Sequence, residues 1–518
     1  MTISFLVLNR GDRLSTPLYN TVILAADNWD DYSYKTLFHA SWCGEDGNRI
    51  EIGSVKIGYV GQRHGWTRTA FSEGSFSRLM EGWFSLGQDV DYYRNLSTVV
   101  TSDVRDEVLG ALQDVAASDA CLTTAMNEEV FQTSLMRGVS LSAIHGQFRR
   151  VLQGLAALTA FQFSFRDPGD DQHAEVSLDF SVIPLSKPPT NVHVLIGRNG
   201  VGKTTLLNNM VSAVVAPAGQ TLRARFYVDI PFVSRLLPAD YFSSVVSVSF
   251  SAFDAFIPPA DQPDRSRGVA YFYIGMKRAR TGNQDLPPKT EEDLANDFID
   301  SLQSCLSQAS KRNRWLTAIS RLESDTNFAD MSLGQLAHTD WNSAERIARN
   351  QFRLMSSGHS IVLLTITKLV DTVEEKTLVL MDEPESHLHP PLLSAFTRAV
   401  SDLLHDRNGV AIIATHSPVV VQEVPRSCVW ILSRRRSEGR SDRPDRETFG
   451  ENVGVLTRDI FGLEVARSGF HELLQQAVNE GATFDEILNA YAGSLGFEAQ
   501  AILRAMIAAR VSAVAGTQ

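Results

Sequence analysis

The residues with the clearest chemistry lie at 197–204, where the chain reads GRNGVGKT. Every fixed position of the phosphate-loop pattern GxxxxGK[ST] is filled, and the motif lies between an apolar strand pattern and a helical one. Glycines there let backbone N–H groups converge on a phosphate, Lys203 can reach the β- and γ-phosphates, and the Thr204 hydroxyl can ligate Mg²⁺. The motif predicts these nucleotide-binding residues: Gly197, Arg198, Asn199, Gly200, Val201, Gly202, Lys203, Thr204 and Thr205.

Two carboxylates follow a second apolar strand pattern, in LVLMDEPESHLHP at 378–390. If this strand runs parallel to the strand that feeds the phosphate loop, Asp382 lies beside Thr204 and holds Mg²⁺, mostly through water. Glu383 then points at the position of an attacking water and is the predicted general base. Strands often end in acids, so the pair alone is a weak signal. Together with residues 197–204, it favours hydrolysis of a bound nucleotide.

A histidine ends a third apolar strand pattern, VAIIATHSP at 410–418. The carboxyl ends of strands form the edge at which α/β folds bind ligands, so His416 could donate a hydrogen bond to a γ-phosphate. A histidine at a strand end with satisfied structural hydrogen bonds is the commoner interpretation when the residue is considered alone.

With MSSGH at 355–359, these motifs resemble the core of ABC-type ATPases, in the soluble branch that includes chromosome-maintenance, RecF-like and phage-defence ATPases. That family has the order phosphate loop, signature, acidic strand, D-loop and switch histidine. Ser356 lies 26 residues before Asp382, and His416 lies 34 residues after it, which matches the family spacing. The resemblance covers about 156–465 and implies binding and hydrolysis of ATP with Mg²⁺.

The resemblance also implies roles for individual residues. Ser356, Ser357 and Gly358 would contact the γ-phosphate of ATP bound to another subunit, His416 would be the switch histidine, and Ser386–His389 would be the D-loop. A complete site would then need two chains, so the protein itself is a predicted partner. The alternative for Ser-Ser-Gly is a helix cap, because serine before an apolar helix is good capping chemistry.

Some positions depart from the family pattern. Met355, Ser357 and His359 stand where the signature usually has Leu, Gly and Gln. No Q-loop glutamine follows the strand VVSVSF, since SAFDAF (251–256) occupies that place. The aromatic residue that stacks on adenine is unassigned, and the candidates are Phe163 and Phe165.

The surrounding patterns predict an α/β protein with an ABC-type P-loop core and a helical lobe, an N-terminal α+β accessory domain and a C-terminal helical tail. The predicted domains are 1–155, 156–465 (with a helical lobe over roughly 257–355) and 466–518. Strand patterns dominate 1–60, with a hairpin turn at GEDGN. Apolar residues at i, i+3 and i+4 predict helices in three segments, namely FSRLMEGWFSL (76–86), DVRDEVLGALQDVAA (103–117) and SLSAIHGQFRRVLQGLAAL (140–158).

Composition limits the class of protein. The chain has 518 residues, 43% of them apolar and 21% charged, with a net charge of −12, so no global basic field attracts nucleic acid. Four dispersed cysteines exclude a disulfide framework and a zinc hook. The amino terminus has no basic n-region, and the apolar run at 361–370 is too short for a membrane span. These features predict a cytoplasmic protein with no membrane partner.

About 150 residues without a heptad run separate the phosphate loop from the signature, which excludes the chromosome-type ATPases. What remains resembles the stand-alone ATPases of bacterial phage defence, such as the Septu ATPase subunit, in which a separate nuclease cuts. A DNA-repair ATPase stays open, with 311–315 (KRNRW) and the Arg-rich stretch 433–446, read as a solvated loop, as candidate DNA contacts. A transporter subunit is less favoured, because it would need a clear Q-loop and little extra sequence.

Overall fold

The computed structural model describes residues 3–9, 12, 18–72, 74–141, 143–154, 158–169, 174–216, 222–230, 233–251, 256–264, 268–279, 286–435, 438–465 and 469–515. Within these ranges, three sheets of four or more strands are covered by helices. No helix in the same ranges combines the length and the apolar character that crossing a bilayer requires.

The first sheet has six strands in the order β7-β1-β2-β4-β5-β8, with β1 and β2 parallel and the other pairs antiparallel. The strands of this part of the chain, including the small β3–β6 pair, are β1 (Ser4–Leu8), β2 (Thr21–Ala26), β3 (Tyr34–Lys35), β4 (Leu37–Cys43), β5 (Arg49–Tyr59), β6 (Gly65–Trp66), β7 (Ser75–Phe76) and β8 (Trp83–Gly87). The helices that follow are α1 (Val90–Val99), α2 (Ser102–Ala111), α3 (Asp119–Met126) and α4 (Arg149–Leu152), with π-helical turns at Phe131–Leu135 and Ala143–Phe148. The strands predicted over 1–60 are confirmed.

The helix predicted at 76–86 is wrong. The segment contains the end of β7, a turn and most of β8, whose residues pair with β5 from Val55↔Gly87 to Tyr59↔Trp83. Gly82 has φ +81°, which interrupts a right-handed helix. The apolar residues of β8 are buried on both faces of the sheet, so their spacing imitated a helical period.

A second sheet, β10-β9-β12-β13, is antiparallel, and a third has seven strands in the order β15-β14-β16-β17-β11-β18-β19. Their bounds are β9 (Phe161–Asp167), β10 (Val176–Val182), β11 (Val192–Gly197), β12 (Arg225–Ile230), β13 (Val233–Leu236), β14 (Ser244–Ser249), β15 (Ala270–Gly275), β16 (Thr377–Asp382), β17 (Val410–Thr415), β18 (Val429–Arg435) and β19 (Glu438–Asp442). All neighbours in the seven-stranded sheet are parallel except β18 and β19. The central strands are buried and largely apolar, with His193 of β11 as a buried polar exception, because helices cover both faces.

The helices of this larger part are α5 (Lys203–Val215), α6 (Glu291–Ser307), α7 (Ala309–Leu322), α8 (Thr326–Met331), α9 (Trp341–Leu354), α10 (Ser357–Thr372), α11 (Pro390–Asp406), α12 (Pro418–Gln422) and α13 (Val453–Val465). Helix α6 begins with a capping box, in which Thr290 and Asp293 satisfy each other's backbone N–H groups. The chain ends with α14 (Phe470–Asn479), α15 (Phe484–Ala490) and α16 (Phe497–Ala515).

The predicted fold class is confirmed: an α/β core of ABC-ATPase-like type with its P-loop, a helical lobe, an N-terminal α+β part and C-terminal helices. The apolar core of the first sheet lies within 3–152, and the cores around the second and third sheets lie within 161–461. A small cluster within α14–α16 is separate from them. The division into domains 1–155, 156–465 and 466–518 stays a prediction.

The Arg-rich stretch 433–446 is not a solvated loop. Its first part forms the β18–β19 hairpin at the end of the seven-stranded sheet, with pairs from Ile431↔Asp442 to Arg435↔Glu438. After the hairpin, the Arg443 guanidinium lies 3.7 Å from the centre of the Trp430 ring, and Arg446 pairs with Asp459. The edge of a sheet accepts a polar strand because only one side must be paired.

The basic segment 311–315 lies inside α7 and joins parts of the structure. Lys311 pairs with Asp371 at 2.8 Å, and Trp315 is fully buried. Arg314 pairs at 2.5 Å with Asp89, the N-cap of α1, and Arg407 pairs with the same carboxylate at 3.0 Å. Burial alone would raise the pKa of Asp89, but the two guanidinium groups hold that pKa well below its usual value. This segment therefore fastens the N-terminal part to the helical lobe and the core.

Candidate functional site

Three strands end at one edge of the seven-stranded sheet and carry the predicted site residues there. In the parallel order β16-β17-β11, the strand that ends at Thr415 lies between those that end at Asp382 and Gly197. The carboxyl ends of parallel strands meet at the same edge, so the phosphate loop (residues 197–204), Glu383 and His416 come together. The sequence prediction of Asp382 beside Thr204 depends on β16 and β11 running parallel. They do so, with β17 lying between them.

The phosphate loop has the backbone that a phosphate cradle needs. Gly200 and Gly202 have φ of +79° and +96°, in the left-handed region that favours glycine, and α5 begins directly after Gly202. Arg198 and Asn199 are exposed, and Val201 and Thr205 line a cleft beside the loop. The N-terminus of the 13-residue helix α5 therefore opens towards this edge of the sheet.

The Lys203 side chain folds back over the loop. Its Nζ donates to the carbonyl oxygens of Gly197 at 3.1 Å and Arg198 at 3.3 Å, and it lies 2.7 Å from His416 Nε2. Burial lowers the pKa of Lys203, while the carboxylates of Glu383 and its neighbours oppose that shift. A buried cation held by neutral acceptors is poised to exchange them for phosphate oxygens.

Thr204 and Asp382 are in direct contact although 178 residues separate them in the chain. The Thr204 hydroxyl donates to Asp382 Oδ2 at 2.7 Å. A hydroxyl oxygen and a carboxylate are ligands of the type that Mg²⁺ prefers, and both belong to rigid elements. The pair fits a Mg²⁺ ion, which these two side chains would hold.

Glu383 occupies a left-handed turn, with φ +46°, directly after β16. Its N–H donates to the carbonyl oxygen of Ala414 at 2.9 Å, which fixes the turn against β17, and its Oε1 lies 2.9 Å from His416 Nε2. His416 Nε2 is thus within hydrogen-bond distance of both Glu383 and Lys203, and it can accept from the lysine or donate to the carboxylate, but not both at once. Strain at a turn of this kind is characteristic of functional positions, because a regular strand would aim the carboxylate elsewhere.

Glu385 belongs to this group and was missed by sequence reasoning. Its Oε1 accepts the backbone N–H of His416 at 2.5 Å, and so it sets the position of that histidine. The only signal in the sequence was its place two residues after Glu383, in the predicted acidic segment.

The structure does not bring Ser356, Ser357 and Gly358 to the phosphate loop of their own chain. They lie at the start of α10, where Gly358 contacts the backbone of His387 and the side chain of Leu388. Ser356 is exposed and has the backbone of an N-cap, but its hydroxyl makes no capping hydrogen bond and contacts His359 instead. The first turn of a 16-residue helix is therefore presented beside the predicted D-loop, Ser386–His389.

The close approach at Gly358 leads to a prediction about stability. A Cβ atom at this position would lie 2.2 Å from the carbonyl oxygen of His387, so the backbone would have to move. We expect Gly358→Ala to lower the free energy of unfolding by about 1–3 kcal/mol, as overpacking does. Gly110→Ala, at an open and exposed position of helix α2, is the control and should raise it by about 0.5–1 kcal/mol. Urea unfolding measures both, and equal effects would contradict the close packing.

The sequence analysis left two features open, the aromatic residue that stacks on adenine and the Q-loop glutamine. Phe163 and Phe165 are fully buried in an aromatic cluster with Phe180 and Phe226, so neither can stack on adenine. The cleft beside the phosphate loop has a mixed lining, in which aliphatic side chains such as Val176 and Leu432 accompany the polar Asp167 and Asn209, and no aromatic ring is among the described residues that line it. The four central residues of SAFDAF, where the Q-loop glutamine was missing, lie outside the described residues.

Comparisons with known proteins identify a domain and a relative. A family model described as "AAA domain, putative AbiEii toxin, Type IV TA system" matches residues 228–422. That range contains Ser356–Gly358, Asp382, Glu383 and His416, and the phosphate loop lies just before it. Together, the match and the motifs support a P-loop ATPase domain.

One relative extends over nearly the whole chain. Protein ea59 of Escherichia phage lambda is 45% identical over 526 residues, which cover 98% of this chain and 98% of that protein. Among solved structures, an ATP-binding cassette of an ABC transporter in its ADP conformation is 14% identical over 59% of this chain and 99% of the cassette, with a TM-score of 0.30. UvrA2 from Deinococcus radiodurans is 13% identical over 57% of this chain and 40% of its own, with a TM-score of 0.27.

Proposed function

We propose that this chain, which belongs to the family of protein ea59 of Escherichia phage lambda, binds ATP with Mg²⁺ and hydrolyses it at the edge formed by β11, β16 and β17. The observation that carries the proposal is the 2.7 Å contact between Thr204 and Asp382, beside the contact of Glu383 with His416. The contacts join three separate motifs at one point, which a chance glycine turn would not do.

Each group has a part in this mechanism. The loop N–H groups and Lys203 would bind the phosphates, and Thr204 and Asp382 would hold Mg²⁺, which would neutralise charge on the phosphate oxygens. Glu383 accepts a proton from the attacking water, because a carboxylate within hydrogen-bond distance of that water is a general base. His416 now contacts both Lys203 and Glu383, so arrival of a γ-phosphate would give Lys203 and His416 a new common partner.

Mg²⁺ dependence tests this assignment. We expect Asp382→Ala to abolish most of the difference in ATP affinity between solutions with and without Mg²⁺, because the variant removes the carboxylate that holds the ion. Titration with a fluorescent ATP analogue, with Mg²⁺ and with EDTA, measures the difference. Asp402→Ala, which removes a surface carboxylate paired with Arg321, is the control and should bind as the parent does. An unchanged Mg²⁺ effect in Asp382→Ala would contradict the assignment.

We further propose that the site is completed by a second copy of the chain. Ser356, Ser357 and Gly358 are beside the predicted D-loop rather than the phosphate loop, and Ser356 is exposed with a hydroxyl that does not cap its helix. The N-terminus of α10 can offer its first N–H groups to a phosphate that another copy holds. ATP would then join two chains, as the resemblance to ABC-type ATPases implies.

The biological role is a proposal that rests on the resemblance to phage-defence ATPases. We propose that ATP-driven association controls a separate nuclease, with the N-terminal part as a transmitter, since Asp89 joins it to both the helical lobe and the core. The test is DNA cleavage by the protein purified with the product of a neighbouring reading frame. ATP-dependent cleavage that needs both proteins supports the role, and the absence of any change with ATP contradicts it.

Direct binding of DNA, as in a repair ATPase, is the alternative. The structure weakens one of its two candidate contacts, because Lys311 and Arg314 are paired with acidic residues and Trp315 is buried. The other candidate is the β18–β19 hairpin, where Arg440 is exposed. A binding assay at several salt concentrations distinguishes the alternatives, and preference for DNA ends or gaps would favour repair.

A further inference from the structure

A chain of hydrogen-bonding groups begins at Ser356 and leads into the protein. Ser356 Oγ lies 2.6 Å from His359 Nδ1, and His359 Nε2 lies 3.2 Å from Asp325 Oδ1. The second carboxylate oxygen, Asp325 Oδ2, lies 3.2 Å from His389 Nε2. The Asp325 and His359 side chains are only 7% and 12% exposed. The cluster therefore connects the start of α10 with the end of the predicted D-loop through one buried carboxylate.

The carboxylate fixes the direction of these bonds. Asp325 also accepts the backbone N–H groups of Asn327 and Phe328, as the N-cap of α8. Burial alone would raise the pKa of Asp325, but the hydrogen bond with His359 and these N–H groups hold that pKa below its usual value. An ionised carboxylate only accepts hydrogen bonds, so His359 must carry a proton on Nε2.

The protonation state of His359 then decides where the Ser356 proton points. In the neutral ring, Nδ1 is an acceptor, so the Ser356 O–H points inwards and its lone pairs face outwards. In the doubly protonated ring, Nδ1–H donates to Ser356 Oγ, and the hydroxyl proton is free to point outwards. Only the second arrangement offers a donor and a nearby positive charge to a phosphate.

We propose that His359, held by Asp325, is a positioning residue for the Ser356 hydroxyl, and that His359 takes up a proton when the γ-phosphate of ATP on a second chain contacts Ser356. This inference rests on the proposed function, because it concerns the site between two copies. The ATP-bound association should therefore be stronger at lower pH. Asp325 contacts the ring of His359, and the predicted D-loop shares that carboxylate through His389.

The surroundings of the His359 ring contain few other groups that could cause the effect. From the segment that begins α8 come Asp325, the amide of Asn327 and the ring of Phe328, whose centre is 5.3 Å from that of His359. From the segment before α11 comes His389, with its ring centre 6.3 Å away and its side chain half exposed. Asp325 is the acidic group in contact with both histidines, so its replacement is the second test.

The experiment uses the full chain with Glu383→Gln, so that ATP with Mg²⁺ is bound without being consumed. Sedimentation at pH 6 and pH 8 measures ATP-dependent association, and calorimetry in two buffers of different ionisation enthalpy measures proton uptake. We expect association about tenfold tighter at pH 6 than at pH 8, as a charge-assisted hydrogen bond to phosphate allows. Adding His359→Gln should remove most of this difference and the matching proton uptake, which linkage sets at about half a proton per association event averaged between pH 6 and pH 8, with binding to the phosphate loop unchanged. Protons from ATP itself are the same in both chains.

Two further variants complete the design. Asp325→Asn keeps a side-chain oxygen for the cap of α8 and should also reduce proton uptake at pH 7. His338→Gln, at the exposed end of the 3₁₀ turn Leu333–His338, is the control and should behave as the parent. If the parent associates with ATP and His359→Gln keeps the same proton uptake, the role of His359 is overturned and the shared site stands. If the parent binds ATP but associates at neither pH, the shared site itself fails, and this inference fails with it.

Discussion

Replacement of Glu383 by Gln is expected to lower ATP turnover about a hundredfold while ATP still binds, the size of effect that loss of a general base produces. Gln keeps the shape of the side chain, and the N–H of residue 383 can still donate to Ala414, so the turn after β16 should persist. The amide cannot accept the proton of the attacking water. The lost step is therefore chemistry rather than binding.

Steady-state hydrolysis and titration with a fluorescent ATP analogue measure the two effects separately. Glu480→Gln, an exposed carboxylate beyond α14, is the matched control and should hydrolyse ATP at the parental rate. If Glu383→Gln also hydrolyses ATP at that rate, the base lies elsewhere, and Glu385 is the next residue to replace.

Ser356→Arg is expected to abolish most hydrolysis, again by about a hundredfold, while ATP affinity at the phosphate loop of the same chain changes less than about twofold. A long charged side chain at the exposed start of α10 would prevent a second copy from approaching. Because the Ser356 hydroxyl makes no capping bond and its contact with His359 is exposed, the free energy of unfolding should change by no more than about 0.5 kcal/mol. A helix cap would instead lose about 1 kcal/mol in each subunit independently.

Ser320→Arg is the control for an added surface arginine. Ser320 is also exposed, on α7, and its hydroxyl bonds only within its own helix. This variant should keep parental hydrolysis. Equal hydrolysis by Ser356→Arg and Ser320→Arg would show that nothing approaches the start of α10 during turnover.

The sequence predicted the centre of the site because each of its parts has a local pattern. The phosphate loop has fixed glycines, and Asp382 and His416 end short apolar strands that must be central in a covered parallel sheet. Parallel strands present their carboxyl ends together, so a pattern in each strand was sufficient to predict the contact between Thr204 and Asp382.

Residues that act through contacts between distant segments had no such pattern. Asp325 is one of many acids in a helical region, and only the packing of α8 against α10 and the D-loop brings it to His359 and His389. Phe163 and Phe165 failed as base-stacking candidates for a similar reason, since an aromatic strand residue can face a core or a ligand.

The errors in secondary structure have the same origin. The segment 76–86 has helical spacing, but pairing of β8 with β5 prevails over local preference. The arginines of 433–446 suggested solvent, but β18 gains hydrogen bonds from β11 on one side and β19 on the other. The secondary structure of such segments is determined by pairing with strands that are distant in the sequence, and the spacing of their own residues does not reveal that pairing.

The central claim, a shared ATP site between two chains, is tested most directly by mixing two inactive variants. Lys203→Ala removes the cation that meets the β- and γ-phosphates and should lower ATP affinity at least about tenfold. Ser356→Arg blocks the other half of the site. A mixed pair contains one intact site, formed by the phosphate loop of the Ser356→Arg chain and the Ser356 of the Lys203→Ala chain.

The measurement is the ATPase rate of each variant alone and of the co-expressed pair at equal total protein. Each variant mixed with the parent shows whether a single intact site can turn over. The shared site predicts that the pair hydrolyses ATP faster than either variant alone. A pair no faster than the average of the two variants, when one intact site is active in the mixtures with the parent, would contradict it.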